Sequence, residues 1–85
     1  MEGKKVGVFD HYYDQIEVAV LKITDGKLKV GDQIKVYDRG GNEVFEQEVT
    51  SMQIDGKEVN EVKKGDDLGI KVDQKVKEGY EAYKL

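Results

Sequence analysis

Lys29-Val30-Gly31-Asp32, followed by Ile34 and Val36, is written again as Lys63-Lys64-Gly65-Asp66 before Leu68, Ile70 and Val72. A third copy reads Lys77-Glu78-Gly79-Tyr80 before Ala82. A glycine set among polar residues lets the backbone take φ > 0 in a tight turn. Apolar residues at every second position directly afterwards mark a strand entering a half-buried sheet. The repeated cassette therefore predicts an all-β fold whose strands are joined by short glycine turns.

The flanking sequence extends the pattern. Val6 and Val8 alternate in a first strand, Lys4-Lys5-Val6-Gly7-Val8-Phe9. In the stretch from Ile16 to Ile23, Ile16, Val18 and Val20 share one face, and Ala19, Leu21 and Ile23 the other. Apolar residues on both faces predict a strand covered on two sides, or one that changes phase at a bulge. Asp25-Gly26 and Asp55-Gly56 read as turns, and Asp38-Arg39-Gly40-Gly41-Asn42 as a hairpin loop. Across residues 44–54 the early apolar members, Phe45 and Val49, differ in parity from Met52 and Ile54, which predicts a corner near Thr50-Ser51. The absence of any sustained 3.6-residue period limits helix to one turn at residues 60–63. The expected architecture is a small closed antiparallel β-barrel of six to seven strands. Closure is expected because an open sheet this small would expose edges competent to pair.

Eighty-five residues accommodate a single domain, residues 1–85. No cysteine and only one histidine are present, which excludes disulfides and zinc sites of the Cys/His kind. No apolar run reaches the length of a membrane span, and the N-terminus does not read as a signal peptide, so a cytoplasmic protein is expected. Eighteen acids against fourteen bases give a net charge of −4, which argues against a protein that coats nucleic acid non-specifically.

Asp10-His11-Tyr12-Tyr13-Asp14 gathers acid, imidazole and phenol groups. Such a set can supply a general base oriented by a carboxylate, or metal ligands from Asp10, His11 and Asp14. Neither a nucleophile nor a cleft accompanies it, so a polar loop between strands is the preferred reading and no metal is expected. Asp66-Asp67 resembles a paired-carboxylate site, yet Asp66 follows its glycine as Asp32 follows Gly31. That shared position favours turn chemistry, with the carboxylate accepting from backbone N–H groups. Arg39, at a glycine-rich tip, is placed to reach a phosphate or carboxylate partner. Gly40-Gly41 lacks the Gly-Lys-Ser/Thr continuation of a phosphate loop, so neither nucleotide nor cofactor is expected.

The order of elements resembles the second domain of translational GTPases, the barrel shared by the elongation factor Tu and initiation factor families. The resemblance is carried by Gly7-Val8, by the run from Asp25 to Val36, by Val49-Thr50-Ser51-Met52-Gln53-Ile54, by the run from Val62 to Val72, and by Val76-Lys77-Glu78-Gly79-Tyr80-Glu81. It is closest to translation elongation factor-like proteins that consist of this barrel without a GTPase domain. The resemblance implies a non-enzymatic module binding RNA (tRNA or rRNA) or a protein of the translation or tRNA-modification machinery. His11, Tyr13 and Arg39 are the expected partner-binding residues, because an exposed aromatic can stack on an unpaired base and arginine can hold phosphate. Similar barrels also occur as accessory domains of U32-type peptidases, which implies the alternative of a protein-interaction subunit partnering such an enzyme.

Overall fold

The computed structural model describes residues 2–85. Ten strands follow one another: β1 (Lys4–Tyr13), β2 (Val18–Ile23), β3 (Lys27–Lys29), β4 (Gln33–Tyr37), β5 (Glu43–Glu48), β6 (Met52–Ile54), β7 (Lys57–Val59), β8 (Glu61–Lys63), β9 (Asp67–Lys71) and β10 (Glu81–Lys84). No helix occurs among the described residues, and residues 61–63, at the place allowed for a helical turn, form β8 instead. Eight strands make one sheet in the order β5-β4-β10-β1-β2-β9-β6-β7, and β3 pairs with β8 in a second. The pairings are antiparallel throughout.

The all-β antiparallel expectation is therefore met, but the count of six to seven strands is corrected to ten. Short β3, β7 and β8 escaped the count because three residues are too few to show an alternation. The ladder order is open, with β5 and β7 at its ends. Those edges carry Glu43, Glu46 and Glu48 on β5, and Lys57 and Glu58 on β7, all exposed. Charged side chains on exposed edges discourage pairing with other chains.

The three cassettes form the same device. Gly31, Gly65 and Gly79 have φ of 99°, 97° and 92°. In each, the residue after the glycine donates its N–H to the lysine carbonyl three residues back: Asp32 to Lys29 at 3.0 Å, Asp66 to Lys63 at 3.0 Å and Tyr80 to Lys77 at 3.1 Å. Each turn then hooks onto one fully buried residue by two bonds. Gly31 N–H donates to the Val49 carbonyl while Val49 N–H donates to the Asp32 carbonyl. Gly65 and Asp66 hold Ile23 in the same way, and Gly79 and Tyr80 hold Phe9. The turn aspartates complete the first two copies. Asp32 Oδ2 accepts from Lys29 N–H at 2.8 Å, and Asp66 Oδ2 from Lys63 N–H at 2.9 Å.

Phase changes place the core. Register shifts in β1 between Lys5 and Gly7 and between Phe9 and His11 turn Val6, Gly7 and Phe9 inward and leave Val8 half-buried. Val6 and Val8 thus do not share a buried face, because a bulge inverts the alternation between them. In β2, Ala19, Leu21 and Ile23 are buried, whereas Val18 and Val20 are half-buried. One face is covered fully and the other only in part. The corner near Thr50-Ser51 is an interruption between β5 and β6, with Phe45 and Val49 buried before it and Met52 after it.

Gln47, the buried polar residue of β5, spans from there to the end of β9. Its Nε2 donates to the Lys71 carbonyl at 2.9 Å and its Oε1 accepts from Asp73 N–H at 2.7 Å. A side-chain amide here does the work of a missing strand pair, satisfying two backbone groups that would each cost about 1–3 kcal/mol if left unpaired in the interior.

Candidate functional site

The predicted site residues fall on two reversals at one end of the sheet, His11 and Tyr13 by the turn from β1 to β2 and Arg39 between β4 and β5. β1 and β2 extend into a hairpin closed by Tyr13 opposite Val18. The loop contains no glycine, and Ile16 N–H donates to the Tyr13 carbonyl at 3.3 Å. Glu17 sits at φ 55°, the left-handed region that costs a non-glycine residue about 1–2 kcal/mol. The hairpin is held in part by Val72 N–H donating to the Glu17 carbonyl.

His11 and Tyr13 lie two apart on β1, and their rings meet edge to face with centroids 4.5 Å apart. Aromatic pairs favour this arrangement, which steadies both rings on an exposed strand. Tyr13 is 50% exposed and Ile16 62% exposed, the two largest such values among the bulky apolar residues. Together with Tyr12, Asp14 and Gln15 they line a shallow concavity of about 270 Å³. Parity predicts Ile16 as part of a strand, whereas it lies in the loop before β2. Residues 14–17 lack the glycine that marks the other turns. The signal available was the polar pair Asp14-Gln15 breaking the apolar alternation.

Arg39 is exposed at the tip joining β4 and β5. Its aliphatic stem lies over Gly79, where a Cβ would come within 2.9 Å of Arg39 Cδ. The loop beneath it is organised by Asp38, whose Oδ1 accepts from Gly40 N–H and Asn42 N–H at 2.9 Å each. Hydrogen bonds from Asn42, then from Gly40, hold the Asp38 carboxyl below its ordinary range. Of the expected glycines, Gly41 takes the left-handed conformation, at φ 82°. The structure brings His11 and Tyr13 together and makes Arg39 a cover for the third latched turn.

No group of three or more histidine or acidic residues among the described residues is arranged to hold a metal ion, and Asp10, His11 and Asp14 do not converge on one point. What the hairpin presents is aromatic and aliphatic surface rimmed by polar groups, which suits association with a macromolecule better than acid–base chemistry. No helix among the described residues is long and apolar enough to cross a membrane.

No family model matches the chain. An uncharacterized protease of Methanocaldococcus jannaschii is 35% identical over 81 residues, a match that covers 95% of this chain and 19% of that protein. Elongation factor 4 of a Hydrogenobaculum species is 50% identical over only 38 residues, 42% of this chain and 6% of that protein. The chain thus spans about a fifth or less of the length of the curated relatives it matches. Two crystal structures share its fold at TM-scores of 0.86 and 0.85: the C-terminal domain of a Geobacillus thermoleovorans putative U32 peptidase, and its selenomethionine variant. They are 14% and 13% identical, covering 96% and 94% of this chain and 92% and 98% of theirs. These findings correct the translation elongation factor-like assignment. The residues on which it rested build latched turns and alternating strands, which the fold needs whatever it binds. Near-complete coverage comes instead from the archaeal protease and the U32 C-terminal domain.

Proposed function

We propose that this chain is a non-catalytic interaction module that docks on the body of a U32-type peptidase-family protein through the β1–β2 hairpin. One observation carries the reading: 95% of this chain aligns with only 19% of an archaeal protease, and the same fold is the C-terminal domain of a putative U32 peptidase. In that arrangement the larger partner supplies the chemistry and this chain supplies a rigid face. We read the sheet as wrapped into a barrel, since β5 continues through the corner into β6 and Gln47 ties β5 to the end of β9. A wrapped sheet offers its turns and hairpin tips to a partner.

Tyr13 and Ile16 are the anchors in this reading. Tyrosine contributes large, stiff contact area at low entropic cost, and buried aromatic anchors dominate interface energetics. The test is calorimetric titration of this chain against a U32-type protein of the same genome. Binding that weakens at least about tenfold in the Tyr13→Ala/Ile16→Ala double variant, with its melting temperature retained, is the expected result. No heat of association with the wild-type chain would overturn the proposal.

A further inference from the structure

We infer a second contact site at the opposite end of β1: a lysine-lined cleft that receives an acidic segment of the partner protein. The cleft holds about 560 Å³, and its wall carries Lys4, Lys5, Lys27 and Lys84 against one acidic side chain, Asp25. Such a concentration of cations stands out in a chain of net charge −4.

The strand register makes the crowding specific. Lys4 lies directly opposite Lys84 across β1 and β10, and Lys27 directly opposite Lys63 across β3 and β8. Residues directly opposite in an antiparallel pair project to the same side, and like charges there are destabilising. One registered lysine pair, Lys4 with Lys84, therefore meets at this concavity beside Lys27, while Lys63 lies outside it, a local conflict that folding alone does not require.

Three lysines of this fold are answered by carboxylates, two of them in the cleft itself. Lys35 is ringed by Glu2, Glu43 and Glu46, and its pKa is raised by the hydrogen bond it donates to Glu2 above all, then by the charges of Glu2 and Glu43. Lys5 pairs with Glu81 at 2.6 Å, and Lys84 reaches Asp32 at 3.7 Å. The other two cleft lysines, Lys4 and Lys27, make no ion pair among the described residues. Those two ammonium groups are the ones the cleft leaves for a visiting anion.

The chemistry of the lining selects carboxylates on a polypeptide over a nucleic acid. No aromatic ring or guanidinium faces the cleft, so it has no platform for base stacking. The overall negative charge opposes a long polyanion, whereas a short acidic stretch needs only the local field. Half-exposed Leu85 adds apolar surface for the stem of a glutamate or a neighbouring side chain. Only the owner of the acidic segment rests on the proposed partner; the cleft itself stands on its lysines.

The test titrates a fluorescent oligoglutamate peptide into the whole chain at low salt and follows anisotropy. Lys4→Gln/Lys27→Gln is compared with Lys57→Gln/Lys75→Gln, which removes equal charge from exposed positions outside the cleft. The expected result is binding weakened about tenfold or more in the cleft variant and about twofold or less in the control, with affinity falling as salt rises. The melting temperature of the cleft variant should equal or exceed that of the wild type, because a repulsion has been removed. Equal weakening in both variants, no binding at all, or a lower melting temperature in the cleft variant would overturn the inference. Tighter binding of an oligouridine of equal charge would overturn it too, in favour of nucleic acid. If the peptide binds as expected while the U32-type protein gives no heat, the cleft stands and the proposed partner falls.

Discussion

The latched turns and the β1–β2 hairpin both reverse the chain, but they treat their side chains in opposite ways. At Gly31, Gly65 and Gly79 the backbone is bound on both sides of the glycine, and each turn grips a residue buried in the core. At residues 14–17 a non-glycine residue sits at positive φ, and Tyr13 and Ile16 face outward. The first kind of turn spends its polar groups on the fold. The second leaves apolar surface that the fold does not use. A recurring motif is thus the less informative one about function, because recurrence shows that the fold requires it.

The widest separation between the two kinds should appear on truncating what each holds. Phe9→Ala removes the fully buried ring of the residue whose backbone the third latch grips, and should cost about 3–5 kcal/mol in chemical denaturation. Ile16→Ala should stay within about 0.5 kcal/mol. Comparable losses in the two variants would erase the distinction.

A finer comparison lies among the latches themselves. A Cβ at Gly31 or Gly65 meets nothing within 4 Å, so alanine there should cost only its left-handed backbone, about 1–2 kcal/mol. At Gly79 the same Cβ would also collide with Arg39. Gly79→Ala should therefore melt lowest of the three, and adding Arg39→Ala should recover part of the difference. Equal melting temperatures without rescue would mean that Arg39 yields freely and does not cover that turn.

The smallest effect concerns the tip at residues 38–42, an exposed reversal stapled by a carboxylate. Because Asp38 has a folded-state pKa below its ordinary value of 3.8, its contribution is complete above that value. It is lost as pH falls through the lower, folded-state pKa. An NMR titration should show the Asp38 carboxyl titrating below its ordinary value, and Asp38→Asn should remove this acid dependence. A carboxyl that titrates at the ordinary value would place this tip with the unheld reversals.

Much of this was readable beforehand because it is local. A glycine at positive φ followed by alternation needs only three or four residues to declare itself, and the turn role of Asp32 and Asp66 followed from their shared place after it. The corner after Val49 showed as a parity change. The bulges in β1 were hidden, since Val6 and Val8 keep a regular spacing in sequence while the register slips between them. Nor did Gln47 announce a role, because its partners, Lys71 and Asp73, are distant in sequence. Of the candidate residues, His11 and Tyr13 pack together as neighbours on one strand can, whereas the seat of Arg39 over Gly79 depends on a contact between separate turns.

By itself the sequence determined that this is an all-β chain, where most of its turns fall and which aspartates serve them. Those properties arise from backbone sterics and nearest-neighbour alternation. Tertiary structure alone decided that the ladder order stays open, that Ile16 faces solvent, and that Lys4 meets Lys84 as Lys27 meets Lys63. Strand partners are chosen by packing across the whole chain, and a shift of one residue in register changes which charges stand opposite one another.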